Sequence, residues 1–232
     1  MLITSPIFGA QNTPLQVRTF TTLAISGALT LAIGPKMGPP PSDLFGLGAA
    51  VLQEVVAGIL LGSLVNLALT AGQMAGAIMD IQSGLGMSQE LNPVTGVPVT
   101  ILSQFKFMLA TVLFLSLNGH HLMLLAFARS YSFLPNFTPQ ALNHAFLPML
   151  SAICFLAVQI ATPVLGAGMI ADAALALVAK AVPQMPAMLV GGPAKQALGL
   201  AAVALSLPAL TVAVSSGCQL AISTFAHLFR AG

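Results

Sequence analysis

Side chains that could do chemistry are few in this sequence and lie far apart. Its 232 residues include seven Lys and Arg, five Asp and Glu, four His and two Cys. Cys154 and Cys218 each lie in an apolar stretch without a Cys or His at metal-ligand spacing, which argues against a zinc site or a disulfide framework. No nucleophile is paired with a well-placed base. We therefore expect a protein that is not an enzyme and that uses no cofactor or metal.

The densest polar group is Asn118-Gly-His120-His121, within an otherwise apolar stretch. An unpaired amide or imidazole is costly in such surroundings. Adjacent helical residues point about 100° apart, so we do not expect the two histidines to bind one metal ion. We interpret Asn118 and His120 as a buried, hydrogen-bonded polar pair. Asp172 and Lys180 lie on roughly one helical face and could share partners.

The elements that carry these residues belong to a membrane protein. The chain is 57% hydrophobic and only 5% charged, and its mean hydropathy is +0.96. Such a chain cannot cover itself with polar surface, so lipid or partner subunits must surround much of it. The apolar runs are about 20 residues or longer and lack the alternation of barrel strands, which favours helices. A net charge of +2 from scattered Lys and Arg argues against nucleic-acid binding.

Proline and glycine divide the chain into five predicted helices. They cover residues 15–33, 44–81, 100–128, 146–182 and 194–229. Pro163 and Pro208 are expected to bend or break the last two. A polar connector over residues 130–144 and a Pro/Gly-rich turn over residues 183–193 complete the pattern.

The second predicted helix has a polar and glycine face. At about 100° per residue, six residues lie close to one line along the helix. They are Glu54, Gly58, Gly62, Gly72, Gly76 and Asp80. The glycines form two small-xxx-small pairs that allow another helix to approach closely, and the acids avoid lipid only if they face protein or water. Two interpretations stay open: this face packs against partner subunits, or it packs helices within the chain.

A Pro/Gly-rich loop is expected between the second and third helices. Eight of its residues are candidates for a functional loop: Met87, Glu90, Leu91, Asn92, Pro93, Gly96, Val97 and Pro98. Irregular backbone at membrane depth is tolerated only where protein buries it or where it lines a water-filled path. A pore plug would have this pattern, and so would a plain connector outside the membrane.

Four stretches of the sequence resemble the FliR/SctT family of type III protein export. They are Pro6-Ile-Phe-Gly with Pro14-Leu-Gln-Val-Arg18, Gly72-Gln-Met-Ala-Gly76 through Gln82-Ser-Gly-Leu-Gly-Met87 to Asn92-Pro93, Phe114-Leu-Ser-Leu-Asn-Gly-His120 with Arg129-Ser130 and Leu134-Pro135, and Ala181-Val-Pro-Gln184 with Val190-Gly-Gly-Pro193. Their order and spacing span nearly the whole chain. The Asn-Gly-His element is more similar to the flagellar branch than to the virulence branch.

The resemblance implies an all-α subunit of the export gate in the bacterial inner membrane, within a flagellar or injectisome basal body. It implies a FliP-like half over residues 1–144 and a FliQ-like helical hairpin over residues 145–232. One copy would join FliP-like and FliQ-like subunits, contact an FlhB/SctU-like switch protein, and conduct unfolded export substrates. Residues 86–98 would then form the plug of the channel, and the glycine face would become a subunit-packing surface.

Two departures and two alternatives accompany this resemblance. Members of the family usually have another apolar helix of about 20 residues before the position that matches Ser5 and Pro6, and a longer C-terminal tail. A secondary transporter would also contain broken helices, but it would usually have two corresponding halves with matched interruptions, and none is visible in this sequence. A scaffold without a conduit role is the other alternative.

Overall fold

The structure, a computed structural model, describes residues 14–34, 42–85, 100–131, 139–183 and 187–230. Within these ranges it contains seven α-helices and no strand, which confirms the all-α prediction. The helices are α1 (Leu15–Ile33), α2 (Leu44–Ser83), α3 (Ile101–Ser116), α4 (Gly119–Ser130), α5 (Pro139–Ala181), α6 (Ala187–Leu205) and α7 (Leu207–Arg230).

The first two helices match the sequence prediction. Helix α1 follows Pro14, whose carbonyl accepts a hydrogen bond from the backbone amide of Arg18. Helix α2 has 40 residues and is therefore roughly 60 Å long at 1.5 Å per residue, about twice the thickness of a hydrocarbon core. It ends at Ser83, and the next residue, Gly84, has a φ of 76° that L side chains rarely adopt.

The third predicted helix is two helices, α3 and α4, which corrects the expectation of one helix over residues 100–128. They meet at a bend of 66°. Asn118 adopts a left-handed conformation with a φ of 56°, and its backbone amide bonds to the carbonyl of Leu115. Asparagine tolerates this conformation better than most residues do, and the helix cannot continue through it. Asn118 therefore lies at an exposed bend and not inside a helix.

Two predicted connectors are shorter than expected. Helix α5 begins at Pro139, inside the predicted polar connector, because proline suits the first turn of a helix. Helix α6 begins at Ala187 and contains Pro193, inside the predicted Pro/Gly-rich turn. Gly191 of α6 packs directly on the Leu175 side chain of α5, and such tertiary contact overrides the local preference for a turn.

The two internal prolines behave differently. Helix α5 continues through Pro163 without a break. The chain does break at Ser206, between α6 and α7 and two residues before Pro208. The missing amide and the ring of a proline disfavour a continuous helix, and Pro208 is accommodated in the first turn of α7 instead.

Within the described ranges, three helices are long and apolar enough to cross a membrane: Leu44–Ser83, Phe146–Ala181 and Leu207–Leu228. The bent pair α3 and α4 would make a fourth span if it counts as one. Many large apolar side chains on these helices are exposed, including Phe45 and Ile170. The chain is thus a membrane protein whose outer apolar surface requires lipid or partner subunits.

The chain divides into two units, and long helices contribute to both. The first unit comprises Met1–Ala68, Phe114–Ser151 and Ser216–Gly232, and its core includes Leu61, Leu64, Phe114, Met123 and Phe225. The second comprises Leu69–Leu113 and Ala152–Ser215, and its core includes Leu69, Met79, Ile153, Ile160 and Leu210. The division into residues 1–144 and 145–232 stays a prediction.

Candidate functional site

A buried carboxylate joins the end of α2 to the start of α3 in the second unit. Asp80 is only 1% exposed. Its Oδ2 accepts hydrogen bonds from the backbone amides of Leu102 at 2.9 Å and Ser103 at 3.2 Å. The first amides of a helix have no partner within the helix and carry partial positive charge, so a carboxylate is a strong cap for them. Asp80 thus caps α3 across 22 residues of sequence.

The residues around this contact form what we call the stem cluster: Asp80, Ser83, Thr100, Leu102 and Ser103. Ser83 is buried at the last residue of α2, where its hydroxyl donates to the carbonyl of Met79. Thr100 precedes α3, and its carbonyl accepts the amide of Gln104. The two helix ends that flank residues 86–99 are therefore held together by Asp80.

Two glycines of α2 allow α3 to approach closely enough for this contact. A Cβ on Gly76 would collide with the backbone of Leu102 and Ser103. A Cβ on Gly72 would lie 3.2 Å from the Leu210 side chain and 3.3 Å from Ala110. Close backbone approach at small residues is the usual way in which membrane helices pack. In the structure, Gly72 and Gly76 thus pack against other helices of the same chain.

The remaining residues of the predicted face lie in the first unit. Gly58 and Gly62 are buried, whereas Glu54 is exposed. The Glu54 carboxylate accepts a hydrogen bond of 2.6 Å from the Tyr131 hydroxyl, and the Tyr131 ring packs edge-on against Phe127. Burial, followed by the hydrogen bond and charge of Glu54, raises the pKa of Tyr131, so the phenol stays protonated and remains a donor. The use of the whole face for subunit packing stays a prediction.

A second polar cluster links α5 and α6 near the end of α2. Lys195 Nζ lies 2.6 Å from Asp172 Oδ1, and Gln82 Nε2 donates to Asp172 Oδ2 at 3.3 Å. Gly168 packs on the Gln82 side chain, and a Cβ on Gly199 would lie 2.7 Å from Ser83 Cβ. Asp172 thus has two partners, Lys195 and Gln82, and its cation comes from α6 and not from its own helix.

We expect Lys195→Met to have a small effect. The Asp172 side chain is 50% exposed, and an ion pair that is screened by solvent typically contributes about 0–1 kcal/mol. The thermal midpoint of the detergent-purified chain should therefore fall by less than about 4 °C. Lys180→Met is the matched control, because Lys180 is an exposed lysine of the same region. A loss well above 4 °C would show that the pair is a main support of the α2 end.

The other predicted site residues are placed as follows. Residues 86–99, which include every plug candidate from Met87 to Pro98, lie outside the described part of the chain. Asn118 is exposed and His120 is half-buried, and the buried Nδ1 of His120 has no hydrogen-bond partner among the described residues. Since Asn118 is exposed, the two residues are not a jointly buried polar pair. Among the described residues, no group of three or more His, Cys, Asp or Glu could hold a metal ion.

Sequence reasoning selected Asp80 but missed the residues that it binds. Backbone amides leave no trace in a sequence, so Leu102 and Ser103 could not be found by residue type. It also missed Lys106, a fully buried lysine of α3. A lone lysine within an apolar stretch was the available signal, because charged side chains inside membrane segments are rare and usually functional.

Comparison with known proteins adds the family. Residues 1–220 match the model of "Bacterial export proteins, family 1". The flagellar biosynthetic protein FliR of Caulobacter vibrioides is 31% identical over 215 residues, which cover 91% of this chain and 86% of the relative. FliR of Bacillus subtilis is 27% identical, covering 97% of this chain and 89% of the relative.

A relative with a different name also matches. The surface presentation of antigens protein SpaR of Shigella flexneri is 26% identical over 151 residues, which cover 65% of this chain and 59% of that protein. The family is not known for enzymes, and it implies partners within the export apparatus of a membrane. The family match over nearly the whole chain and the identity to FliR have one consequence: this chain belongs to the bacterial export proteins of family 1, the FliR/SpaR family.

Proposed function

We propose that this chain is a non-enzymatic subunit of the flagellar type III export gate in the bacterial inner membrane. It helps to form and plug the channel through which unfolded substrates pass, and it templates helical assembly with FliP-like and FliQ-like subunits. One copy is present in each gate, and an FlhB/SctU-like switch protein is a further partner. Residues 1–144 are the FliP-like half, and residues 145–232 are the FliQ-like hairpin.

The observation that carries the plug proposal is the Asp80 contact. A segment whose two flanking helices are joined by one carboxylate leaves and re-enters the fold at one point. Residues 86–99 are that segment, and they include the Pro/Gly-rich plug candidates. The fixed ends of α2 and α3 give this segment a rigid base, which suits the plug of a channel.

The flagellar branch is favoured over the virulence branch. The FliR relatives of Caulobacter vibrioides, Bacillus subtilis and Aquifex aeolicus match 91%, 97% and 99% of this chain. The SpaR match covers 65%. The Asn118-Gly-His120 element supports the same choice, because it is more similar to the flagellar branch.

Removing part of the proposed plug tests this function. We expect a deletion within residues 91–97 to raise ion leakage across the membrane or to alter secretion, because the channel loses its obstruction. Leakage is measured in cells that produce the variant together with its FliP-like and FliQ-like neighbours. The control is an internal deletion of equal length in residues 132–138, which connect α4 and α5. A scaffold without a conduit role would tolerate both deletions.

Assembly is tested by native mass spectrometry after co-expression with the same neighbours and purification in detergent. The proposal expects a complex that contains one copy of this chain among several copies of the others. A chain that purifies alone as a stable, monodisperse species would contradict it. Small-molecule uptake by vesicles that contain this chain alone would instead favour a secondary transporter.

A further inference from the structure

Lys106 is a charged residue in the interior of the second unit. It lies on α3, its exposure is 0%, and its side chain is among the largest that are fully buried. Its Nζ donates a hydrogen bond of 2.5 Å to the Ser206 hydroxyl. Among the described acidic residues, none lies within ion-pair distance of it. A buried ammonium without a carboxylate partner is costly unless another source of negative potential faces it.

Ser206 is the residue at which α6 ends and α7 begins. Its hydroxyl donates at 2.6 Å to the carbonyl of Val203, in the last turn of α6. Its amide bonds to the carbonyls of Ala202 and Val203 at 3.2 and 3.1 Å, a shared bond that is common at helix ends. The hydroxyl therefore links the ammonium of Lys106 to the carbonyl end of α6.

The end of a helix supplies the potential that a buried cation needs. Carbonyls without a helical partner at the end of a helix carry partial negative charge, and a cation beside them is stabilised, most strongly when it is partly or fully buried. This end exists only because the chain breaks at Ser206, and Pro208 is the residue that disfavours a continuous helix. Ser206 itself keeps helical bonds on both sides, to the carbonyl of Ala202 and from the amide of Leu210. The carbonyl that the break deprives of its helical partner is that of Ala204, because Pro208, four residues later, has no amide to donate.

We propose that the carbonyl groups exposed at the break between α6 and α7 supply the negative potential that stabilises the charged side chain of Lys106. The lysine and the broken helix thus stabilise each other. Lys106 is thereby a positioning residue for the last helical pair. The helices around Lys106 pack closely. Gly72 of α2 lies against the Lys106 backbone carbonyl and the Leu210 side chain of α7. Helices α2, α3 and α7 therefore pack together beside the backbone of Lys106.

The proposal is tested by a double-mutant cycle of Lys106→Met and Pro208→Ala on the full chain in detergent. Methionine keeps the length of the lysine side chain without its charge. We expect Pro208→Ala to lower the thermal midpoint by about 5 °C or more when Lys106 is present, and to leave it unchanged or raise it in the K106M background. If Pro208→Ala folds only when Lys106 is replaced by methionine, this result also supports the proposal.

Pro163→Ala is the matched control, because Pro163 lies inside the unbroken helix α5 of the same unit. It should shift the midpoint equally with and without Lys106. Should Pro208→Ala fail to fold in both backgrounds, Ser206→Ala takes its place, with a loss expected only when Lys106 is present. Equal shifts in the two backgrounds, for whichever variant is measured, would overturn the proposal.

Discussion

Gly76→Ala is expected to be the most damaging single substitution in the second unit. The added Cβ would meet the backbone of Leu102 and Ser103, and backbone atoms cannot move aside as a flexible side chain can. Helices α2 and α3 would have to separate, which would also pull Asp80 away from the amides that it caps. Overpacking of this kind typically costs about 1–3 kcal/mol or more, and the lost cap adds to it. We expect the thermal midpoint to fall by about 6–12 °C.

Gly48→Ala is the control for this prediction. Gly48 lies on the same helix, and a Cβ there would have no atom of the described residues within 4 Å. The substitution should be neutral or stabilising by up to about 1 kcal/mol, because alanine favours a helix over glycine. Opposite signs for two identical substitutions on one helix would separate close packing from helix propensity. If Gly76→Ala were as harmless as Gly48→Ala, the contact between α2 and α3 would not be tight in the protein.

The positions of helices could be predicted from the sequence where the apolar stretch is long and the residue that ends the helix lies next to it. Helix α1 was predicted with both ends, because Pro14 precedes it and a run of proline and glycine follows it. The break near Pro208 followed from the covalent structure of proline. In each case the determining residue lies within the element or beside it.

Elements that depend on tertiary contact did not follow from composition. Pro193 was expected to be in a turn but lies inside α6, where the neighbouring Gly191 packs on Leu175 of another helix. Asp172 and Lys180 lie on roughly one face of their helix and could share partners, but the cation that Asp172 pairs with is Lys195 of α6. Local spacing cannot show which helix lies opposite, so such contacts are visible only in the fold.

The glycine face of α2 was the most informative pattern for the candidate site. Its spacing placed Gly72, Gly76 and Asp80 on one line, and the structure uses all three against α3 or its surroundings. The pattern identified the face of α2 but not the helix that packs against it. Whether a glycine ridge meets a partner subunit or the same chain depends on which helix fits it, and the fit includes backbone atoms that have no sequence signature.

Asp80→Ala is the second large effect that we expect. It removes the acceptor of two buried amides and leaves them without a partner, at a cost of about 2–4 kcal/mol. The thermal midpoint should fall by about 4–10 °C. Asp80→Asn is the matched variant, since its carboxamide oxygen can still accept both bonds, and we expect about half of that loss. An unchanged midpoint in Asp80→Ala would mean that the cap contributes little.

The same pair of variants separates the stability of the fold from the proposed plug. If the base of residues 86–99 positions a plug, Asp80→Ala should raise ion leakage in assembled gates, whereas Lys195→Met, which changes an exposed ion pair nearby, should not. Leakage in Asp80→Asn should be intermediate, because one oxygen still holds the two helix ends together. A lower thermal midpoint with unchanged leakage would leave Asp80 as a cap of α3 alone. The closure of the channel would then have to depend on contacts other than this carboxylate.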